Sequence, residues 1–147
     1  MIYIGADHRG YGVKERIAGE LEGWGYDFCD LSQKREDEDD YSDIAVELAE
    51  KVVEEKARGI LLCGSGAGVC MTANKVVGIR AGIAFEEKQC RKMREDDDIN
   101  VLCLSSDWVD EEKNVAMVRI FLETNFGSEK RQIRRIRKVS KYETAKR

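Results

Sequence analysis

The sequence predicts an α/β fold: a three-layer α/β/α domain with a five-stranded parallel sheet and a C-terminal helix. Three observations carry this. Strand-like and helix-like segments alternate five times along the chain, which implies parallel strands joined by crossover helices. The segment "GILLC" is apolar on consecutive positions, as expected of a strand covered on both faces. The chain has 147 residues, 42% of them hydrophobic and 37% charged, enough for one folded domain spanning residues 1–147 with its own core.

The elements follow in order. "MIYIGA" is a β-rich run, and Gly5 opens the turn after it. Val13, Ile17, Leu21 and Trp24 recur at helical spacing, and Gly25 closes that helix. "YDFCDL" is a second strand and "SQKREDEDDYS" an acidic loop. "DIAVELAEKVVEE" is a second amphipathic helix, "GILLC" the third strand, and "GVCMTANKV" opens the third helix. "GIRAGIAF" and "INVLCLSS" are strands four and five, each followed by a helix, "EEKQCRKMRED" and "DEEKNVAMVRIFLETNF". The tail from Ser128 to Arg147 carries nine Lys or Arg against two Glu and is expected to be helical. No internal repeat or low-complexity linker interrupts this pattern.

Composition narrows the function classes. The net charge of -4 gives no overall electrostatic basis for nucleic-acid binding. No apolar run approaches the ~20 residues that span a membrane. The start "MIYIGADHRG" lacks the basic and apolar regions of a signal peptide, so a cytoplasmic location is expected. Five cysteines include no CxxC pair, which argues against zinc and thioredoxin-like sites. All but Cys63 read as reduced, mostly buried thiols.

Ligands of parallel α/β sheets sit beyond the carboxyl ends of the strands. Three polar segments should meet there: "GADHRG", "DDYSD" and "CGSGAG". In the last, Gly64, Gly66 and Gly68 let the backbone turn its N–H groups toward a ligand, and the following helix aims its positive end at the same point. Such a loop holds an anion, either a phosphate or an oxyanion formed in a reaction. It lacks the Gly-Lys-Ser/Thr of a P-loop and the GxGxxG of a dinucleotide site. Cys63 stands at its mouth, where convergent N–H groups favour a thiolate that could serve as nucleophile or general base. A nucleophile calls for a histidine partner, and the one histidine, His8, lies in another loop. A base beside a carbonyl has less need of one. The competing reading makes Cys63 the last buried residue of a strand.

Asp7 can accept hydrogen bonds from substrate hydroxyls, or cap the helix after it. His8 can meet a phosphate, or be a surface histidine. Arg131 and Arg135, four apart on the basic tail, can clamp one phosphate. The alternative is a solvated basic face or a contact with the acidic "EDEDD" stretch.

"GADHRGYGVKERI", "DYSDIA", "CGSGAGVCMTANKVVGIRA" and "RQIRRI", in that order over nearly the whole chain, resemble the ribose-5-phosphate isomerase type B family. That family also includes the subunits of galactose-6-phosphate isomerase. The resemblance implies a Rossmann-like domain, a homodimer or homotetramer with composite active sites, a small sugar phosphate as substrate, and no metal or organic cofactor. It implies aldose–ketose isomerisation through an enediolate, most readily between ribose 5-phosphate and ribulose 5-phosphate. Cys63 matches the family's base and Ser65 the hydroxyl that assists proton transfer. Gly64, Gly66, Ala67 and Gly68 supply the N–H groups that hold the enediolate. Asp7, His8 and Tyr41 match substrate-binding positions, and Arg131 and Arg135 the phosphate-binding arginines, with Lys130 and Arg134 as the alternative register.

The chain departs from the family's pattern at four places. A His-Asn pair is replaced by Asp96 and Asp97, an arginine by Asp107, and a tail histidine by Gln132. "DYP" reads "DYS". The family takes the positions of Asp96, Asp97 and Asp107 from the neighbouring protomer, so that half of the site becomes acidic. Three readings follow: Asp96 performs the ring-opening proton transfer and Asp97 contacts substrate; the sugar phosphate differs; or a different subunit completes the site. A non-catalytic sugar-phosphate-binding protein is the alternative from another class.

Overall fold

The computed structural model describes residues 1–145. Five strands form one parallel sheet in the order β2-β1-β3-β5-β4. The strands are β1 (Ile2–Ala6), β2 (Phe28–Asp30), β3 (Arg58–Cys63), β4 (Ala81–Ile83) and β5 (Val101–Ser105). The helices are α1 (Tyr11–Gly23), α2 (Tyr41–Glu55), α3 (Ala67–Ala73), α4 (Glu87–Asp97), α5 (Glu111–Glu123) and α6 (Lys130–Ala145).

Strand alternation sorts the core into two layers. Ile4, Ala6, Ile60, Leu62, Leu102 and Leu104 pack with Ile17 and Leu21 of α1, Cys90 of α4, and Met117, Val118 and Phe121 of α5. The intervening residues Tyr3, Leu61, Cys63, Val101 and Cys103 pack with Leu48 and Val52 of α2 and with Val69 and Ala73 of α3. Each fully buried Leu or Ile contributes roughly 1.5–3 kcal/mol, which makes the three central strands the most strongly anchored part of the fold. The expected five-stranded parallel sheet between helical layers is present, with α6 as the added C-terminal helix.

The edge strands are shorter than their patterns suggest. "YDFCDL" and "GIRAGIAF" each yield three strand residues. The Tyr26 N–H is taken by the Leu21 carbonyl, which pulls the start of the second run into the turn after α1. Before β4, the Asn74 side chain brackets the Ala81 backbone, accepting from its N–H at 2.8 Å and donating to its carbonyl at 2.9 Å. The Arg80 N–H donates to the Asn100 side chain. These side-chain bonds take the place of further ladder bonds. The cysteines also differ from expectation: Cys63 is buried with Cys90 and Cys103, whereas Cys29 and Cys70 are half-buried.

The strand order positions the site. β1 and β3 are neighbours, paired from Ile2↔Arg58 to Ala6↔Leu62, yet β1 leads to α1 on one face and β3 to α3 on the other. The chain diverges at their carboxyl ends and leaves a crevice there. β5 pairs with β3 up to Cys63↔Ser105, so its exit loop reaches the same crevice.

Candidate active site

The crevice is a cleft of about 340 Å³. Its floor is the β3–α3 loop. Cys63 ends β3 at 4% exposure, and the Gly66 N–H donates to its Sγ at 3.1 Å. Gly66 has φ +79°, the left-handed region open to glycine, and this reversal turns its amide back onto the sulfur. The Ala67 N–H donates to Ser65 Oγ at 3.2 Å, so Ser65 stands over the first turn of α3. Gly68 brings that turn close to Tyr41, whose ring carbons lie 2.8 Å from where a Cβ at Gly68 would be.

The β5 exit loop fixes the floor from beside. Ser105 Oγ donates to the Gly64 carbonyl at 2.7 Å, and the Asp107 N–H donates to the same oxygen at 3.0 Å. Ser106 Oγ lies 3.1 Å from the Cys63 carbonyl and 2.9 Å from that of Arg9, which ties the β1 exit to the same frame. Asp7 is buried, and its Oδ1 accepts the N–H groups of Arg9 and Gly10 at 2.9 and 3.0 Å. Asp7 thus shapes the turn into α1 and also lines the cleft, so both roles weighed for it coexist.

His8 does not line the cleft. The acidic loop folds back so that Asp39 Oδ1 accepts the His8 N–H at 3.0 Å and lies 2.7 Å from Nδ1. With Nδ1 directed at that carboxylate, Nε2 is the ring nitrogen left for a ligand. The only histidine is therefore engaged with Asp39 rather than with Cys63, which favours a base over a histidine-assisted nucleophile. Behind the loop, Cys70 and Cys103 share a hydrogen bond. Burial, followed by that bond, holds the Cys103 thiol well above its ordinary range, while the same bond lowers that of Cys70. No group of three or more His, Cys, Asp or Glu suited to a metal occurs among the described residues. No helix among them is long and apolar enough to cross a membrane.

Of the residues singled out by sequence, the structure gathers Asp7, Tyr41, Cys63, Gly64, Ser65 and Gly68 around one cleft, while Gly66 and Ala67 stand behind its lining with their N–H groups on Cys63 Sγ and Ser65 Oγ. It does not bring Asp96, Asp97, Arg131 or Arg135 there within one chain. Asp96 lies in the last turn of α4, and its Oδ1 accepts from Gln132 Nε2 of α6 at 2.9 Å. Asp97 and Arg135 line a separate groove between α6 and the β4 edge. Arg131 is exposed and paired with Glu129. Asp107, whose position the resemblance assigns to a neighbouring protomer, lines the cleft of its own chain, where its N–H donates to the Gly64 carbonyl at 3.0 Å. Sequence reasoning missed Arg9 and Trp108. Arg9 lines the cleft and pairs with Asp107, and Trp108 stands at the rim, 77% exposed. The adjacency of Arg9 to Asp7 and His8 was the one available signal.

Comparison with known proteins accords with this geometry. The sequence model of the Ribose/Galactose Isomerase family matches residues 2–139. A Mycoplasma genitalium protein named "Probable ribose-5-phosphate isomerase B" is 42% identical over 145 residues, covering 97% of this chain and 95% of its own. The crystal structure of ribose-5-phosphate isomerase B from Mycoplasma genitalium with bound ribulose-5-phosphate superposes with a TM-score of 0.93 at 40% identity, covering 97% of this chain and 95% of that one. The ribose-5-phosphate isomerase B of Clostridium thermocellum gives 0.95 at 34% identity, covering 99% of each chain. The chain thus belongs to the Ribose/Galactose Isomerase family and is an enzyme of the intramolecular oxidoreductase class.

Proposed function

We propose that the protein interconverts an aldose phosphate and its ketose, ribose 5-phosphate and ribulose 5-phosphate being the first choice of substrate. Cys63 is the base. Its thiolate removes the C2 proton of the opened aldose and returns it at C1, so the net change is isomerisation with no other reactant. The N–H groups of the Gly64–Gly68 loop, Ala67 included, hold the enediolate oxygen, and Ser65 assists proton movement between the two oxygens. Asp7 and Tyr41 orient the sugar from the cleft wall, and His8 meets it through Nε2.

The remaining groups come from a second copy of the chain in a homodimer or homotetramer. Arg131 and Arg135 would hold the phosphate, Asp96 would carry the ring-opening proton, and Asp97 would contact the sugar. Their location on α4 and α6, away from the cleft of their own chain, supports this reading. So does the apolar side of α6, where Val139 and Tyr142 are 60% and 69% exposed.

The observation that carries the proposal is the Gly66 N–H held 3.1 Å from the sulfur of Cys63 at the floor of a cleft. The purified protein, incubated with a panel of pentose and hexose phosphates and followed by NMR, should convert at least one aldose into its ketose. Tight binding without conversion would identify a sugar-phosphate-binding protein instead. Conversion only after a different subunit is added would identify an obligate heteromer.

A further inference from the structure

Arg9 is the one cation among the residues that line the cleft, which otherwise carries the carboxyl groups of Asp7 and Asp107. A phosphorylated substrate entering that cleft meets acidic groups at every charged position except this one. The arginine is also built into the site. Its N–H donates to Asp7 Oδ1 at 2.9 Å, and its carbonyl accepts from Ser106 Oγ at 2.9 Å, so its backbone is fixed from two loops.

Its guanidinium lies against the residue that follows Cys63. A Cβ at Gly64 would stand 2.7 Å from Arg9 Nε and 2.8 Å from Asp107 Oδ2. A side chain at this position would push the ion pair from its place above the loop, and glycine leaves it undisturbed. Nη2 is bonded to Asp107 Oδ2, and the side chain is still 59% exposed. A guanidinium carries five N–H donors in a planar fork, so donors remain for a second anion beside the first.

We propose that Arg9 grips the substrate's phosphate from the same chain as Cys63, with Asp107 as its resting counter-ion. Asp107 holds the fork over Gly64 when the cleft is empty and shares it when a phosphate arrives. The site then has a phosphate contact of its own, besides any that a second copy supplies. This inference rests on the sugar-phosphate reading of the cleft, and its test includes a readout that needs no turnover.

The experiment compares wild type with Arg9→Met, Arg9→Lys and Asp107→Asn. It measures kcat and KM with ribose 5-phosphate, and binding of inorganic phosphate by calorimetry. Arg9→Met should raise both KM and the phosphate Kd by about 10- to 100-fold, the loss of a charge-assisted hydrogen bond, with kcat within about threefold. Arg9→Lys should recover part of that loss, since a point charge replaces the fork. Asp107→Asn should tighten phosphate, because the competing carboxylate is gone. Unchanged KM and phosphate Kd in a folded Arg9→Met protein would overturn the proposal and leave the ion pair a strap between loops. So would a fall in kcat at constant KM, which would place Arg9 at the reacting carbons. If wild type binds phosphate through Arg9 but isomerises no sugar phosphate, the proposed reaction fails and this assignment stands.

Discussion

Replacing Gly66 by alanine tests how the floor of the cleft is built. At φ +79° an L-residue sits in the left-handed region, at a cost of about 1–2 kcal/mol. The added Cβ would lie 2.9 Å from Ile83 Cδ1 and 3.0 Å from the carbonyl carbon and oxygen of Leu104. Ile83 can rotate away. Leu104 cannot, because it is a central-strand residue in register with Leu62. Overpacking of this kind adds about 1–3 kcal/mol, for a total of about 2–5 kcal/mol. Gly25→Ala supplies the control: its φ is +77°, and nothing lies within 4 Å of the added carbon. It should cost about 1–2 kcal/mol, the backbone share alone. Urea denaturation at neutral pH measures both. Turnover should separate them further, since any shift that moves the Gly66 amide off Cys63 Sγ costs about 100-fold in kcat, while Gly25 is remote from the site. Equal destabilisation by the two variants, or full turnover in Gly66→Ala, would refute the reasoning.

Two further predictions concern buried charge and buried thiol. Lys14 is fully buried, with Nζ donating to Asp30 Oδ2 at 2.6 Å, to the Ser32 carbonyl at 3.0 Å and to Glu15. Asp30→Asn should destabilise the protein by about 3 kcal/mol in urea, whereas the double change Lys14→Met with Asp30→Asn should recover much of that; equal stability of Asp30→Asn and wild type would contradict this. Burial pushes the Cys90 thiol up to about 12. A group raised in the folded state keeps its full stabilising effect below its unfolded value and loses it as pH rises toward the folded one. Stability should therefore fall from about pH 9 upward, by up to about 1.4 kcal/mol per pH unit from this residue. Urea midpoints measured from pH 8 to 11 should decline less steeply for Cys90→Ala than for wild type, and coincident slopes would exclude the effect.

The fold was legible because its signals are local. The run of consecutive apolar residues from Ile60 to Cys63 marks a strand covered on both faces, and glycine spacing marks the turn at Gly64–Gly68. The floor of the site was legible for the same reason, since Cys63, Ser65 and Gly66 are neighbours in sequence. The lengths of the edge strands were not, because Asn74 and Asn100 bind the start of β4 through their side chains and the Leu21 carbonyl takes the Tyr26 N–H before β2, bonds that no periodicity reports. Long-range pairs were equally silent. His8 meets Asp39 across 31 positions and Arg9 meets Asp107 across 98, so the acid of "SSD" read as lost positive charge when an arginine from another loop stands against it. The basic tail gave its helix correctly but not its place. Gln132, anchored on Asp96, seats α6 over α4 and carries Arg131 and Arg135 away from the cleft.

The base is tested most directly by following hydrogen at C2. Ribose 5-phosphate labelled with deuterium at C2 should lose its label from C2, to C1 or to water, in the presence of wild-type protein. Cys63→Ala should slow that loss by about 10²–10⁴-fold while still binding inorganic phosphate. Label loss from the alanine protein at the wild-type rate would mean that another group takes the proton, and the assignment of Cys63 would be wrong.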